Sequence, residues 1–214
     1  MRLTLIRHGQ TPANVAGVLD TGAPGPGLTD LGLAQAAALP PLLGEREVGA
    51  VYVSRLVRTR LTAGPLAEAR TLDRIELPGV HEIEAGDLER HGDLQSVREY
   101  METVFAWGLG DLDRTMPGGP SGHDFFGRYD ADIERVTRET DHPVVFSHGA
   151  AIRVWVASRA TNIVPSFTAE HHLPNAGVVE LEGSVADGWR LLAWPEVDLS
   201  ATMRDPIDAE MELE

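Results

Sequence analysis

The chain has 214 residues, no cysteine, and 33 acidic against 18 basic residues, a formal charge of −15. That length suits a single α/β domain with at most an inserted cap, burying roughly 70% of its unfolded surface without covalent staples. The composition excludes disulfides and thiolate chemistry, the acidity argues against nucleic acid or an anionic membrane as partner, and no segment approaches the ~20 apolar residues of a membrane span.

Taken in chain order, the apolar periodicity predicts strands alternating with helices. A first strand is expected at about residues 2–6, with no apolar leader before it, which predicts a cytoplasmic rather than an exported protein. A short helix near 12–17 and a Gly- and Pro-rich loop from Asp20 to Gly27 follow. Thr29 is placed to cap a helix running to about Leu43, with apolar residues at 31, 34, 38, 39 and 42 near helical spacing. Strand 50–53 and a helix over about 56–70 come next, then extended segments from Arg74 to Glu84 around Pro78-Gly79. A helix is expected over about 94–109, then a loop from Asp111 to Gly122 and a helix from about Asp124 to Thr140. Strand 143–147 leads into a helix over about 150–160, and β-type segments at 177–183 and 189–194 close the domain. Residues 196–214 read as a solvated acidic tail. This order predicts a three-layer α/β/α sandwich on a mostly parallel sheet. Residues 1–195 form one domain in this reading, with about 85–125 as a small cap over the strand ends.

Two strand ends carry the chemistry. Leu3-Thr4-Leu5-Ile6-Arg7-His8-Gly9 and Val144-Val145-Phe146-Ser147-His148-Gly149 each run from an apolar strand into a His-Gly pair and then a helix. In open α/β sheets, ligands bind outside the carboxyl ends of the strands. Two histidines there, one beside Arg7, suggest a site for an anion. Gly9 and Gly149 at these bends would also let backbone N–H groups approach a phosphate.

The string Arg7-His8-Gly9-Gln10-Thr11-Pro12-Ala13-Asn14 matches the R-H-G-x-[ST]-x-x-N signature of the histidine phosphatase superfamily, which includes the phosphoglycerate mutases. Residues 54–63, Ser54-Arg55-Leu56-Val57-Arg58-Thr59-Arg60-Leu61-Thr62-Ala63, are similar to that family's S-x-L-x-R-[AT]-x-x-T-A segment. Val80-His81-Glu82-Ile83-Glu84-Ala85-Gly86 resembles its L-x-E-I-x-x-G run. The motifs keep the family's order, and the resemblance covers roughly residues 1–183. One segment departs from it: Pro120 stands where many relatives carry the glutamate of G-G-E-S, and Ser121 is left as either a polar contact or a helix N-cap.

The resemblance implies a phosphoglycerate mutase-like fold and a phosphatase working on small phosphomonoesters through a phosphohistidine at His8. It implies a clamp of Arg7, Arg58 and His148 around the phosphoryl group, with Thr11, Asn14 and Gly149 adding contacts. Arginine suits such a clamp because its planar fork meets two phosphate oxygens at once. Glu82 is the implied proton donor; Glu84 competes, because alternation in a strand would put both on one face. No metal or cofactor is expected, since Arg7 and Arg58 would repel a cation beside His8 and His148. The expected partner is a small phosphorylated metabolite, and a homodimer is the default oligomer.

Two other readings are carried forward. A cofactor-dependent phosphoglycerate mutase would need a basic insert for a second acidic group, yet 85–125 offers only Arg90, Arg98 and Arg114 among more numerous carboxylates. A non-catalytic phospho-ligand-binding module would keep the fold without turnover. Met101, Phe105, Trp107, Phe125 and Phe126 could line the cap or simply fill the core. His171 and His172 are read as surface or loop residues, and His81, His91, His123 and His142 show no sustained ligand spacing with carboxylates.

Overall fold

The computed structural model describes residues 1–197; residues 198–214, most of the expected acidic tail, lie outside the described residues. Four strands, β1 (Arg2–Arg7), β2 (Ala50–Ser54), β3 (Arg74–Leu77) and β4 (Pro143–Ser147), run parallel in the spatial order β3-β2-β4-β1. Beyond β1 lie β5 (Val178–Ser184), antiparallel to it with Val179 opposite Leu5, and β6 (Gly188–Ala193), antiparallel to β5. The expectation of a mostly parallel sheet holds.

The apolar runs of β1 and β4 are continuous because both faces of the sheet are covered. Leu3, Leu5 and Val145 point into one core, Ile6, Val144 and Phe146 into the other. The second core is closed by α3 (Leu39–Leu43) and α4 (Val57–Arg70), against which α2 (Asp30–Ala37) also packs. The larger core is closed by α5 (Leu94–Gly108), α6 (Gly122–Glu139) and α7 (Gly149–Arg159). Two short helices, α1 (Pro12–Ala16) and α8 (Phe167–Glu170), complete the described set. Trp107, Phe125, Tyr129 and Trp155 stack in sequence through the larger core, with successive ring centroids 6.1, 5.5 and 5.7 Å apart. Each such side chain contributes roughly 1.5–3 kcal/mol by burial. Phe126 is buried with them, whereas Met101 and Phe105 are half-buried. None of these five lines the cavity described below; from α5 only Tyr100 reaches it.

Three expectations need correction. The helix from Thr29 to Leu43 is two helices, because Pro40 and Pro41 lack the N–H that would continue the ladder and instead open the first turn of α3. Its buried face is also displaced: Gly32, Ala36, Leu39 and Leu43 face inward, while Leu31 and Leu42 are exposed. The extended segment begun at Arg74 stops at Leu77, and residues 78–85 form no regular element.

Gly32 explains the displaced face. A Cβ on it would fall 2.2 Å from the Gln10 carbonyl oxygen, and one on Gly9 would fall 2.6 Å from the Gly32 carbonyl oxygen. Helix α2 therefore touches the loop after β1 backbone to backbone, and hydrophobicity does not set its orientation. Gln35 and Thr29 complete the contact: Gln35 Oε1 accepts from the Gln10 amide, and Thr29 Oγ1 donates to Gln10 Oε1. Gly32→Ala is expected to cost about 1–3 kcal/mol through overpacking. Gly127→Ala, on α6 with open space around it, should instead gain roughly 0.5–1 kcal/mol. Thermal denaturation of the two variants measures the opposite signs.

Candidate active site

Because β2, β4 and β1 are parallel neighbours, their carboxyl ends place three segments side by side. His8 follows β1, Arg58 opens α4 just after β2, and His148 sits between β4 and α7. A cavity of about 110 Å³ lies there, lined by Arg7, His8, Thr11, Asn14, Asp20, Arg58, Glu82 and Tyr100 together with Ala13, Val18, Leu19 and Thr21.

His8 is 4% exposed and its Nδ1 lies 2.8 Å from the Gly9 carbonyl oxygen. A carbonyl only accepts, so Nδ1 carries the proton and Nε2 keeps its lone pair. Burial, then the charges of Arg58 and Arg7, hold the His8 pKa well below the ordinary histidine range. At neutral pH this imidazole is uncharged, with a free nitrogen beside two cations. The ring is fixed through its backbone: Asn175 Nδ2 and the Ala176 amide both donate to the His8 carbonyl, and Thr62 Oγ1 accepts from the Gly9 amide. Gly9 therefore spends its N–H on Thr62, and the expectation that it would serve a phosphate fails.

Arg58 is buried, Arg7 is half-buried, and both face the same cavity. Arg7 Nη1 donates to the Leu173 carbonyl at 2.6 Å, and among the described residues its buried Nε has no hydrogen-bond partner. Arg58 Nη2 donates to the Asp20 carbonyl at 2.9 Å and its Nε to His148 Nδ1 at 3.3 Å. Its Nη1 is also without a partner, the Asp20 carboxylate standing 4.0 Å off. Burial lowers both guanidinium pKa values, with Glu82 opposing the effect in each. An unpaired buried N–H on a charged group costs several times what a neutral one does. Two of them around one cavity fit an anion with several acceptor oxygens.

His148 is fully buried and does not line the cavity. Its Nδ1 accepts from Arg58, so Nε2 carries the proton and donates to Ser54 Oγ at 2.7 Å. Ser54 Oγ in turn lies 3.1 Å from Thr59 Oγ1, which donates to the Leu56 carbonyl. This chain orients Arg58. The His148 ring centroid is 5.2 Å from that of His8, and burial, then the Arg58 charge, keeps the His148 pKa well below the ordinary range. The direct phosphate clamp expected of His148 is thus, in this geometry, support for Arg58.

Glu82 and Glu84 part company because the segment carrying them is not a strand. Glu82 lines the cavity and caps α7, with Oε1 accepting from the Ala151 and Ile83 amides at 2.9 and 3.0 Å. Its Oε2 has one longer contact, from the Ala150 amide at 3.3 Å, and is the oxygen with room for a proton. Glu84 turns away to His81 Nε2 at 2.6 Å, Arg128 at 3.3 Å and Arg55 at 3.6 Å. Against burial, which raises it, these partners hold the Glu84 pKa at about 2. His81 is buried with acceptors on both nitrogens, since its Nδ1 meets the Pro78 carbonyl at 2.6 Å.

The lesser candidates are also placed. Thr11 and Asn14 line the cavity and form the capping box of α1; Asn14 Oδ1 accepts from the Thr11 amide and from Asn175. Gly149 packs against Arg7, where a Cβ would fall 3.0 Å from Arg7 Nε. Ser121 is the N-cap of α6, reciprocally bonded with Asp124, and does not reach the cavity. Sequence reasoning missed Arg128, Asn175, Ser54 and Thr62. Ser54 and Thr62 stood inside a quoted motif; Arg128 and Asn175 carried no local signal, because their partners include backbone carbonyls far away in sequence.

These features define a histidine-centred, anion-receptive site on a mostly parallel α/β sheet. The sequence profile of the histidine phosphatase superfamily (branch 1) matches residues 3–197, and the chain belongs to that superfamily. It is 34% identical over 164 residues to the adenosylcobalamin/alpha-ribazole phosphatase of Salmonella typhimurium, covering 75% of this chain and 80% of that protein. It is 33% identical over 212 residues to the PE-PGRS family protein PE_PGRS11 of Mycobacterium tuberculosis, covering 90% of this chain but only 36% of that longer protein. Among solved structures, a mycobacterial glucosyl-3-phosphoglycerate phosphatase in complex with VO3 superposes with a TM-score of 0.74 at 28% identity, covering 90% of this chain and 98% of that one. The enzyme class expected from the motifs, a phosphoric monoester hydrolase of the histidine phosphatase type, is thereby borne out. No helix among the described residues is long and apolar enough to cross a membrane.

The two neutral histidines make stability pH-dependent. Their folded pKa values lie below the unfolded value of about 6.5, so the unfolded chain binds protons first as pH falls. The stability they contribute is complete above that value and is lost below it, by up to about 1.4 kcal/mol per pH unit for each histidine. Glu84 adds its own loss only between its unfolded value and about 2. Denaturant unfolding from pH 7 to pH 5 should show this fall, and His8→Asn should make it shallower.

Proposed function

We propose that the chain hydrolyses small phosphomonoesters through a phosphohistidine on His8. The observation that carries this reading is the neutral His8, its Nε2 unprotonated, in one cavity with two guanidiniums that each keep a buried N–H unpaired among the described residues. In the first step Nε2 attacks phosphorus, the P–O bond to the leaving group breaks, and Glu82 gives its proton to the departing oxygen. In the second, water attacks the phosphohistidine, Glu82 takes a proton from that water, and inorganic phosphate leaves with Nε2 restored. Arg7 and Arg58 hold the equatorial oxygens, whose charge the transition state retains; losing one such donor typically costs ~10²–10³ in rate. His148 keeps Arg58 in place, and Asn14 offers its amide N–H groups at the cavity edge. The chemistry so described uses no metal or cofactor. Residues of about 85–125 serve as the cap, contributing Tyr100 to the wall.

The other enzyme reading is a mutase, and a probable phosphoglycerate mutase of Proteus mirabilis is 28% identical over 158 residues. A mutase must retain a bisphosphorylated intermediate, which needs a second cationic subsite. Among the described residues, the cations lining this cavity are Arg7 and Arg58, and nearby Arg90 is paired with Asp20 at 2.7 Å. This favours water as acceptor. The named phosphatase relatives differ in substrate, and the leaving group here is set by the cavity wall of Ala13, Val18, Leu19 and Tyr100.

His8→Ala should abolish turnover, and acid-labile, base-stable phosphoprotein should accumulate only in the wild type when a reaction is quenched. Appreciable activity in the variant would remove the nucleophile assignment. Incubation with 3-phosphoglycerate, with and without 2,3-bisphosphoglycerate, should release phosphate and form little 2-phosphoglycerate; the reverse outcome would establish the mutase. EDTA should leave the rate unchanged.

A further inference from the structure

We infer that Arg128, which no motif marks, is a positioning residue that sets the register of Glu82 against His8. The inference rests on the proposed role of Glu82 as proton donor.

Residues 78–85 belong to no helix or strand, so their carbonyls have no ladder to join. Each of the six carbonyls from Pro78 to Ile83 nevertheless receives a side-chain donor. His81 Nδ1 meets that of Pro78, Ser147 Oγ that of Val80 and Tyr100 Oη that of Ile83. Arg128 supplies the other three. Its Nη1 donates to the carbonyls of Gly79 and His81, and its Nη2 to that of Glu82 and to the Glu84 carboxylate. One turn further along α6, Asp132 accepts from the Gly79 amide. A single buried guanidinium thus fixes the backbone on both sides of Glu82, while the Glu82 carboxylate is fixed at the other end by the first turn of α7.

Arg128 does not line the cavity, so it cannot touch the substrate in this geometry. Its side chain is 18% exposed and lies over the Phe125 ring at 5.2 Å, which seats it on the core. Lysine could keep the charge but not the fork: one ammonium cannot meet three carbonyls spread over four residues. Loss of the fork would let the Glu82 segment wander while leaving Arg7, His8 and Arg58, which are held by other elements, in place.

The test compares Arg128→Lys with the wild type on an alkyl phosphate and on an aryl phosphate with a good leaving group. Proton donation matters for the first and little for the second. The variant should lose about 10² in kcat on the alkyl ester, the scale of general-acid catalysis. Its rate of phosphorylation by the aryl ester, read as the burst of phenol released before the phosphohistidine turns over, should stay within about threefold, since hydrolysis of the phosphohistidine calls on Glu82 for either ester. Hydrogen exchange should rise over residues 79–85 and not over the His8 loop. Ser147→Ala, which removes one carbonyl donor and keeps Arg128, should show the same pattern more weakly and covers the case where Arg128→Lys does not fold. Equal losses in the phosphorylation step on the two esters, or unchanged exchange over 79–85, would overturn the positioning role. Wild type inactive on both esters would instead overturn the phosphatase reading, and this role with it.

Discussion

Holding two arginines charged and one histidine neutral inside the same small buried cavity is the constraint around which this structure is arranged. The arginines repel each other, and neither finds enough protein acceptors to satisfy its five donors. Partial compensation comes from Glu82 and Asp20, set near enough to oppose the charge but not to close every N–H. That arrangement is unfavourable for the protein alone and favourable once a dianion enters. The same charges that would bind a phosphate also help keep a proton off His8, so one electrostatic arrangement yields both an anion-receptive cavity and a neutral imidazole. A protein carrying −15 overall can do this because charges more than a Debye length apart, about 8–10 Å, are largely screened.

The sheet supplies coarse positions and irregular backbone supplies fine ones. Parallel neighbours β2, β4 and β1 bring Arg58, His148 and His8 to one edge without any designed contact. The remaining partner, Glu82, arrives from β3, the far strand, on a stretch whose carbonyls are satisfied by side chains of α5, α6 and β4. Buried backbone without a ladder is tolerated only where such donors exist. Three separate elements must therefore pack correctly before the carboxylate meets the histidine, which ties the site to the integrity of the larger core.

Much of this was legible because strands end where apolar runs meet His-Gly. The His8 and His148 positions, the helix after each, and the parallel order follow from that pattern, and Arg58 from its motif. Glu82 was chosen by motif register, and the strand alternation that made Glu84 its competitor fails, since residues 78–85 are irregular. Helix α2 was misread for a different reason. Its buried positions include Gly32 and Ala36, which face inward because two backbones touch there, and a search for large apolar residues finds Leu31 and Leu42 instead. The break at Pro40-Pro41 stood in the sequence; the apolar spacing was allowed to run through it. Arg128 was not legible at all. Four of its bonds go to backbone or side-chain atoms about 44–49 positions away, and carbonyls have no identity in a sequence.

The same distinction separates the two histidines. Symmetric in sequence, they are asymmetric in use: His8 spends one nitrogen on its neighbour's carbonyl and keeps the other, whereas His148 spends both, on Ser54 and Arg58. The difference comes from what each ring meets. Ser54 and Arg58 flank the β2–α4 turn, and they reach His148 because β4 lies next to β2. β1 lies one strand further on, so His8 escapes that network and its Nε2 stays free. Strand order, more than residue type, decides which imidazole keeps a nitrogen free and which spends both on Ser54 and Arg58.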